Sequence, residues 1–303
     1  MAKIILSIDG GGIKGIIPLC VLEKLEEQTG KRAREEVQFC GGTSTGSIIT
    51  GGIATGISAT DMLNFYLKLG SKIFRENWIR WLFRGGWYRY ESKPLNDLIK
   101  EVIGEVTLNE LPMDVLITAV RIEDAHLWWL VKDNPGNAKM TGNLKLADCI
   151  TASSAVPIYF HPWRLPTIGD CVDGGASFAT NPVYRTAIEA FDFTGGKYIP
   201  ADTIVVSLGT GHYSGPFNPK SLFPMLGFTI SAVLGTTADL QTELVKKFYT
   251  PLALYRIDIE LDSDIGMDDF SASAKLVEYG RELATQVDWT SILAGQANRW
   301  LVT

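Results

Sequence analysis

The sequence predicts an α/β fold of three layers, α/β/α, with a central, mainly parallel sheet. Three observations carry that prediction. Short apolar runs at 3–9, 37–41, 114–121, 203–208 and 252–259 alternate with stretches of helical length, the rhythm of a sheet wound with helices. Several runs carry consecutive apolar residues, such as Ile4–Leu6 and Ile204–Val206, rather than one at every second position, as strands covered on both faces do. Glycine-rich turns follow three strands, the place where open α/β sheets carry ligands and catalytic groups.

Each element has a local reason. Lys3–Asp9 is a buried strand cut off by the glycines at 10–12. Ile16–Gln28 is a helix with Pro18 in its first turn, where an amide proton would lack a partner anyway, and Gly30 just past its end. Val37–Gly41 is a second strand, and Thr45–Thr55 a helix stopped by Gly56. Ser58 and Asp61 have capping-box spacing for a helix through Leu69. Ser92 and Pro94 open a helix that stops at Gly104, and Asp114–Arg121 and His126–Lys132 are strands joined by the polar turn Glu123–Asp124. Lys145–Ala152 and Pro182–Ala190 are helices, Thr203–Leu208 is a buried strand ending in Gly-Thr-Gly, and Leu252–Ile259 is a later strand. Helices over Ser271–Gln286 and Thr290–Trp300 close the chain. No repeat or linker interrupts this alternation, so residues 1–303 are expected to form one domain.

Composition excludes several kinds of protein. With 303 residues, 46% hydrophobic and 20% charged, the chain can bury a core and is not disordered. A net charge of −6 argues against bulk electrostatic binding of a nucleic-acid polymer. Lys3 is followed by an apolar run too short for a signal peptide, and Met225–Leu234 is about half a membrane span. Cys20, Cys40, Cys149 and Cys171 lack metal-ligand spacing and read as reduced thiols. The expectation is a soluble cytoplasmic protein that needs no metal and no cofactor.

Gly42-Thr43-Ser44-Thr45-Gly46 matches the G-x-S-x-G nucleophile elbow and lies between a strand and a helix, as that motif requires. A sharp turn can lift the serine oxygen clear only if the flanking residues have no side chain in the way. With 30 glycines in 303 residues, one chain in roughly five carries such a match by accident. The plain alternative is a strand-to-helix turn with Ser44 as the helix cap. Gly10, Gly11 and Gly12 add exposed backbone amides at a helix start, the makings of an oxyanion hole.

Gly10-x-Gly12-x-x-Gly15 also satisfies a dinucleotide fingerprint. That reading needs an acid near the end of the second strand, and Phe39-Cys40-Gly41-Gly42 offers none. A Walker loop fails because Ile16 follows Gly15. A nucleophilic serine needs a base. Of the three histidines, His212 alone sits where a triad histidine would; His126 begins a strand and His161 lies in a turn, and structural roles are favoured for all three. Asp173, ahead of Gly174 and Gly175, is the best-placed acid, with ordinary Asp-Gly-Gly turn chemistry as its alternative.

Taken together, these residues resemble the patatin-like phospholipases, serine acyl hydrolases with a Ser–Asp dyad. The resemblance rests on Asp9–Gly15, Gly42–Gly46 and Asp173–Gly175 in that order, with weaker matches at Thr151–Phe160 and Gly266–Phe270. It implies Ser44 as nucleophile, Asp173 as base without an intervening histidine, and an oxyanion held by the amides of Gly10, Gly11 and Gly12. Lys14 would add positive charge or order that loop, and Gly15, Gly42, Gly46, Gly174 and Gly175 are the motif glycines. The implied substrates are glycerophospholipids or other acyl lipids. An aspartate base would keep activity below the range where a histidine is protonated, unless burial raises it.

Phe65–Tyr90 interleaves aromatics with Lys72, Arg75, Arg80, Arg84 and Arg89, which suits contact with anionic lipid head groups. Trp78, Trp81 and Trp87 are the candidates for a lid or membrane surface; core packing is the alternative for most of the run. Pro224–Gly235 could line an acyl pocket or simply pack. Some compact bacterial relatives act as antiviral effectors switched on by a cyclic oligonucleotide. The expected partners are therefore an acyl-lipid substrate, a membrane met transiently, a small-nucleotide activator and a second copy of the chain. A binding module that keeps the fold without turnover is the alternative from another class.

Overall fold

The structure, a computed structural model, describes residues 2–73, 88–137, 139–215, 238–296 and 301–302. The strands are β1 (Lys3–Ile8), β2 (Phe39–Gly42), β3 (Asp114–Arg121), β4 (His126–Val131), β5 (Trp163–Leu165), β6 (Gly169–Asp173), β7 (Thr203–Leu208), β8 (Ala253–Asp258) and β9 (Leu301–Val302). They form one sheet in the order β5-β6-β3-β2-β1-β7-β8-β9, with β4 paired to β3. From β3 through β9 that path is parallel; β4, β5 and β6 are antiparallel to their neighbours.

Alternation along each strand divides the core. Ile4, Leu6 and Ile8 of β1 join one apolar cluster and Ile5 the other; Val115, Ile117 and Ala119 of β3 part from Leu116 in the same way. The larger cluster takes the helices α1 (Ile16–Thr29), α2 (Thr45–Thr55), α3 (Ala59–Ile73), α4 (Ser92–Ile103), α5 (Leu146–Ser153), α7 (Ser273–Thr285) and α8 (Trp289–Leu293). The smaller takes α6 (Val183–Ile188) and the helical residues 238–248. This is the three-layer fold expected, with both faces of the sheet covered.

The local signals act as expected at most ends. Gly30 and Gly56 close α1 and α2 in the left-handed conformation, where a side chain would strain the backbone. The Asp61 amide donates to Ser58 Oγ at 2.9 Å, capping α3. The last helix is shorter than the expected Thr290–Trp300: α8 ends at Leu293, because Gly295 turns left-handed two residues on. Residues 297–300 lie outside those described, as do Trp78, Trp81, Trp87 and the segment Pro224–Gly235. The four cysteines are free and buried.

One pairing detail positions the site. β2 pairs with residues 114–117 of β3 and stops at Gly42, opposite Ile117. β6 pairs with Ala119–Arg121 of the same strand, and ends at Asp173 opposite Ala119. Since β4 pairs with residues 116–121 on the other edge of β3, β6 takes up the edge that β2 leaves. The turn after β2 and the end of β6 therefore meet.

The C-terminal region locks onto α1 through Trp289, which is 1% exposed and donates its Nε1 to the Val21 carbonyl at 3.0 Å. Trp289→Ala removes that ring and leaves a cavity, so it should cost about 3–5 kcal/mol, read as a lowered midpoint in denaturant unfolding.

Candidate functional site

The turn from β2 into α2 holds Ser44 at φ 55° and ψ −124°, a left-handed backbone that a serine adopts only when its surroundings enforce it. The enforcement is close packing. A Cβ on Gly42 would lie 2.3 Å from the Gly46 carbonyl oxygen, and one on Gly46 would lie 2.2 Å from the Ile8 carbonyl oxygen at the end of β1. The Ser44 amide donates to Ser153 Oγ at 2.9 Å, and its carbonyl accepts from Ser47 Oγ at 2.6 Å and Ser154 Oγ at 3.3 Å. Ser44 caps nothing with its side chain, so the hydroxyl stays available, unlike that of an ordinary helix cap.

Asp173 reaches this turn from the end of β6. Its amide donates to the Ala155 carbonyl at 3.0 Å, and its Oδ1 accepts from the Gly175 amide at 2.6 Å. Gly174 leaves room for Thr118, whose Oγ1 a Cβ there would strike at 1.9 Å. The carboxyl is 2% exposed, and Oδ2 makes no hydrogen bond of normal geometry among the described residues. Burial pushes its pKa up to about 7, against the Ser44 hydroxyl and the Gly175 amide, which pull it down. The Ser44 hydroxyl is thus near enough to the carboxyl to favour its ionised form.

The loop after β1 faces the same point. A Cβ on Gly10 would lie 3.2 Å from Ser44 Cβ. The expectation of three free amides needs correction, because the Gly10 N–H is already bonded to the Thr180 carbonyl at 2.9 Å. Among the described residues the amides of Gly11 and Gly12 make no hydrogen bond. The next amide, Ile13, donates to the Met267 carbonyl at 2.9 Å. Met267 therefore sits against Gly12, where a pyrophosphate would have to approach, and the dinucleotide reading loses its ground. Burial lowers the pKa of Lys14, while Asp264 and Asp258 oppose that shift.

Behind this loop lies a buried ionic cluster that the sequence reading missed. Arg256 of β8 donates to Asp9 Oδ2 and Asp258 Oδ2, both at 2.7 Å, and to Ser207 Oγ at 2.9 Å. Asp258 Oδ1 accepts from the amides of Gly211 and Ile259. Burial raises Asp258, but Arg256 and then His212 outweigh it and hold the carboxyl at about 2. Asp9 has fewer partners, and burial wins over Arg256 to leave it raised to about 6. A signal existed: an arginine and an aspartate two apart in an apolar strand share one face and must be paired if buried.

The histidines stand elsewhere. His212 is joined to Asp258 at 3.7 Å, His161 Nδ1 contacts the Pro162 carbonyl, and His126 begins β4. None lines the cavity that opens at Ser44. That cavity is walled almost wholly by apolar side chains, among them Ile13, Ile48, Phe65, Leu95, Val156 and Phe160. Asp268 stands in its wall and pairs with Arg89 at 2.9 Å. Of the aromatic run, Phe65 and Tyr66 line this cavity and Tyr90 packs on Phe160, which is the core alternative. Among the described residues no cluster of metal-ligating side chains occurs, and no helix is long and apolar enough to cross a membrane.

Comparison with known proteins adds the following. A family model described as "Patatin-like phospholipase" matches residues 6–187. A "cGAMP-activated phospholipase" of Vibrio cholerae serotype O1 is 29% identical over 93% of this chain and 90% of its own length. Patatin-15 of Solanum tuberosum is 32% identical over 68% of this chain and 60% of its own length. Among solved structures, VipD from Legionella pneumophila superposes with a TM-score of 0.46 at 13% identity, covering 97% of this chain and 67% of that one.

Removing the cation from the ionic cluster would leave two buried carboxylates facing each other. Arg256→Met should therefore lower stability by roughly 3–5 kcal/mol, measured by denaturant unfolding. Adding Asp9→Asn to that variant should recover part of the loss.

Proposed function

The chain belongs to the patatin-like phospholipase family of lipid acyl hydrolases, and from that premise we propose that it cleaves acyl esters of membrane phospholipids through a Ser44 acyl-enzyme. The observation that carries the proposal is the meeting of a strained Ser44, which lines an apolar cavity, with a buried Asp173 whose Oδ2 makes no hydrogen bond of normal geometry among the described residues. Ionised Asp173 takes the hydroxyl proton as Ser44 Oγ attacks the ester carbonyl carbon. The oxyanion forms beside the amides of Gly11 and Gly12, which are fixed in place and need no reorganisation. The carbonyl then reforms, the alcohol leaves with the proton from Asp173, and the acyl group stays on Ser44. Water attacks that ester, gives its proton to Asp173, and releases the fatty acid as the proton returns to Ser44. An apolar cavity beside the nucleophile suits an acyl chain drawn from a bilayer surface during a transient contact.

Only the ionised acid is a base. With Asp173 raised to about 7, kcat/KM on a soluble short-chain ester should climb through pH 7 and level off above it, so burial removes the acid-side activity that would distinguish an aspartate from a histidine. Ser44→Ala and Asp173→Asn should each lose at least a hundredfold in rate, about what removing a general base costs, while His212→Ala stays within a few-fold. A loss in His212→Ala equal to that in Ser44→Ala would mean a triad. The same carboxyl bears on stability. Its folded pKa lies above the unfolded value of 3.8, so its contribution is complete below that value and lost as pH rises through about 7. The stability of Asp173→Asn relative to the native chain should therefore grow between pH 4 and pH 7.

The Vibrio relative, matched over 93% of this chain, is named for activation by cGAMP, which favours a second reading of the same enzyme. We infer that a cyclic dinucleotide switches this hydrolase on as an effector that degrades membrane lipid. Purified protein should then be nearly silent alone, and one member of a cyclic dinucleotide panel should raise hydrolysis at least tenfold. High basal activity unmoved by the whole panel would count against it.

A further inference from the structure

The cavity at Ser44, about 80 Å³ in volume, has one charged side chain among its described walls, Asp268. The chemistry of Ser44 and Asp173 does not use it, and a carboxylate in an apolar wall costs free energy unless it is paired. Its Oδ2 is paired, accepting from Arg89 at 2.9 Å and from the Tyr90 hydroxyl at 3.3 Å. Its Oδ1 accepts no hydrogen bond among the described residues, although the side chain is only 20% exposed. Backbone bonds, rather than this pair, hold both partners. The Arg89 amide donates to the Ile158 and Tyr159 carbonyls, each at 3.1 Å, and the Tyr90 amide donates to the Tyr159 carbonyl at 2.7 Å. On the other side the Asp269 amide closes the turn onto the Gly266 carbonyl at 3.1 Å. The Arg89 guanidinium lies 5.4 Å from the centre of the Tyr159 ring, and Tyr159 lines the same cavity. A half-exposed ion pair adds little to stability, so folding gives little reason for a carboxylate here.

We propose that Asp268 selects the lipid head group: its Oδ1 accepts a hydrogen bond from the primary ammonium of an ethanolamine phospholipid whose ester carbonyl sits at Ser44, while Arg89 holds Oδ2. The inference rests on the reading of Ser44 given above and deepens it, naming head groups with an ammonium donor as the preferred ones. In such a lipid the nitrogen stands about nine bonds, roughly 10 Å when extended, from the ester carbonyl. That is enough to span so small a cavity. A choline head group carries the same charge but no N–H, so it leaves Oδ1 unbonded. A glycerol head group keeps donors and lacks the charge. The hydrogen bond from ammonium to carboxylate is charge-assisted, and should be worth about tenfold in kcat/KM.

The test measures kcat/KM in mixed micelles, with the cyclic dinucleotide panel present, on phosphatidylethanolamine, its N-methyl and N,N-dimethyl derivatives and phosphatidylcholine, all with the same acyl chains. Charge is constant along this series, and the N–H donors run out only at its last member. The native enzyme should treat the lipids that keep a donor within a few-fold of one another and fall about tenfold at phosphatidylcholine. Equal rates along the whole series overturn the proposal. Asp268→Asn keeps the shape and removes the charge, and should shrink that fall to about twofold. A folded Asp268→Asn with the native fall also overturns the proposal, since bulk alone would then exclude choline. Asp97→Asn, which removes a carboxylate from the exposed face of α4, should leave the fall unchanged. If Asp268→Asn does not fold, phosphatidylglycerol decides in the native enzyme: it should run about tenfold below phosphatidylethanolamine, and equal rates overturn the proposal. A soluble butyryl ester, which has no head group, separates the two readings. Equal rates along the series with butyryl hydrolysis abolished by Ser44→Ala strike the head-group reading alone. Butyryl hydrolysis that survives Ser44→Ala strikes the reading of Ser44, and the role of Asp268 falls with it.

Discussion

The site depends on a mismatch in strand length. β2 is four residues long and stops at Gly42, while its neighbour β3 runs on to Arg121. The freed edge of β3 is covered from the opposite direction by β6, so a parallel and an antiparallel strand end almost nose to nose. One delivers Ser44 and the other Asp173. Backbone pairing fixes that meeting to within a residue, because a slip by one would turn Asp173 to the other face of the sheet. Neither side chain has to find the other by loop flexibility.

Two groups at the site are held in states they would leave if free, and each is held by packing. Ser44 keeps a left-handed backbone because Gly42, Gly46 and the Ile8 carbonyl are too close for any relaxed turn. Asp173 keeps a raised pKa because burial outweighs its two partners. The surrounding core supplies the energy that keeps that carboxyl raised. The Arg256 cluster serves the same end from behind. By pinning Asp9, it fixes the start of the loop whose Gly11 and Gly12 amides make no hydrogen bond among the described residues.

The sequence made the fold legible where local chemistry decides. Pro18 and Gly30 mark the ends of α1, Ser58 caps α3, and the mostly apolar Thr203–Leu208 is β7 to the residue. It also brought Ser44 and Asp173 forward through glycine spacing. What stayed hidden depends on distant partners. Whether the Gly10 amide is free turns on Thr180, and no local pattern reports that bond. Ser153 and Ser154 support the elbow from 109 and 110 residues away. The short strands β5 and β6 exist because they pair with each other and with β3, not because their residues favour strands.

The fixings of the glycine loop have an order in time. Asp9 waits for Arg256, 247 residues later in the chain, and Ile13 waits for the Met267 carbonyl. A ribosome making this protein releases the loop and the Ser44 turn early and their supports last. A chain still in synthesis therefore carries Ser44 without the framework that holds the neighbouring loop, which assembles only after residues as late as Arg256 and Met267 have emerged.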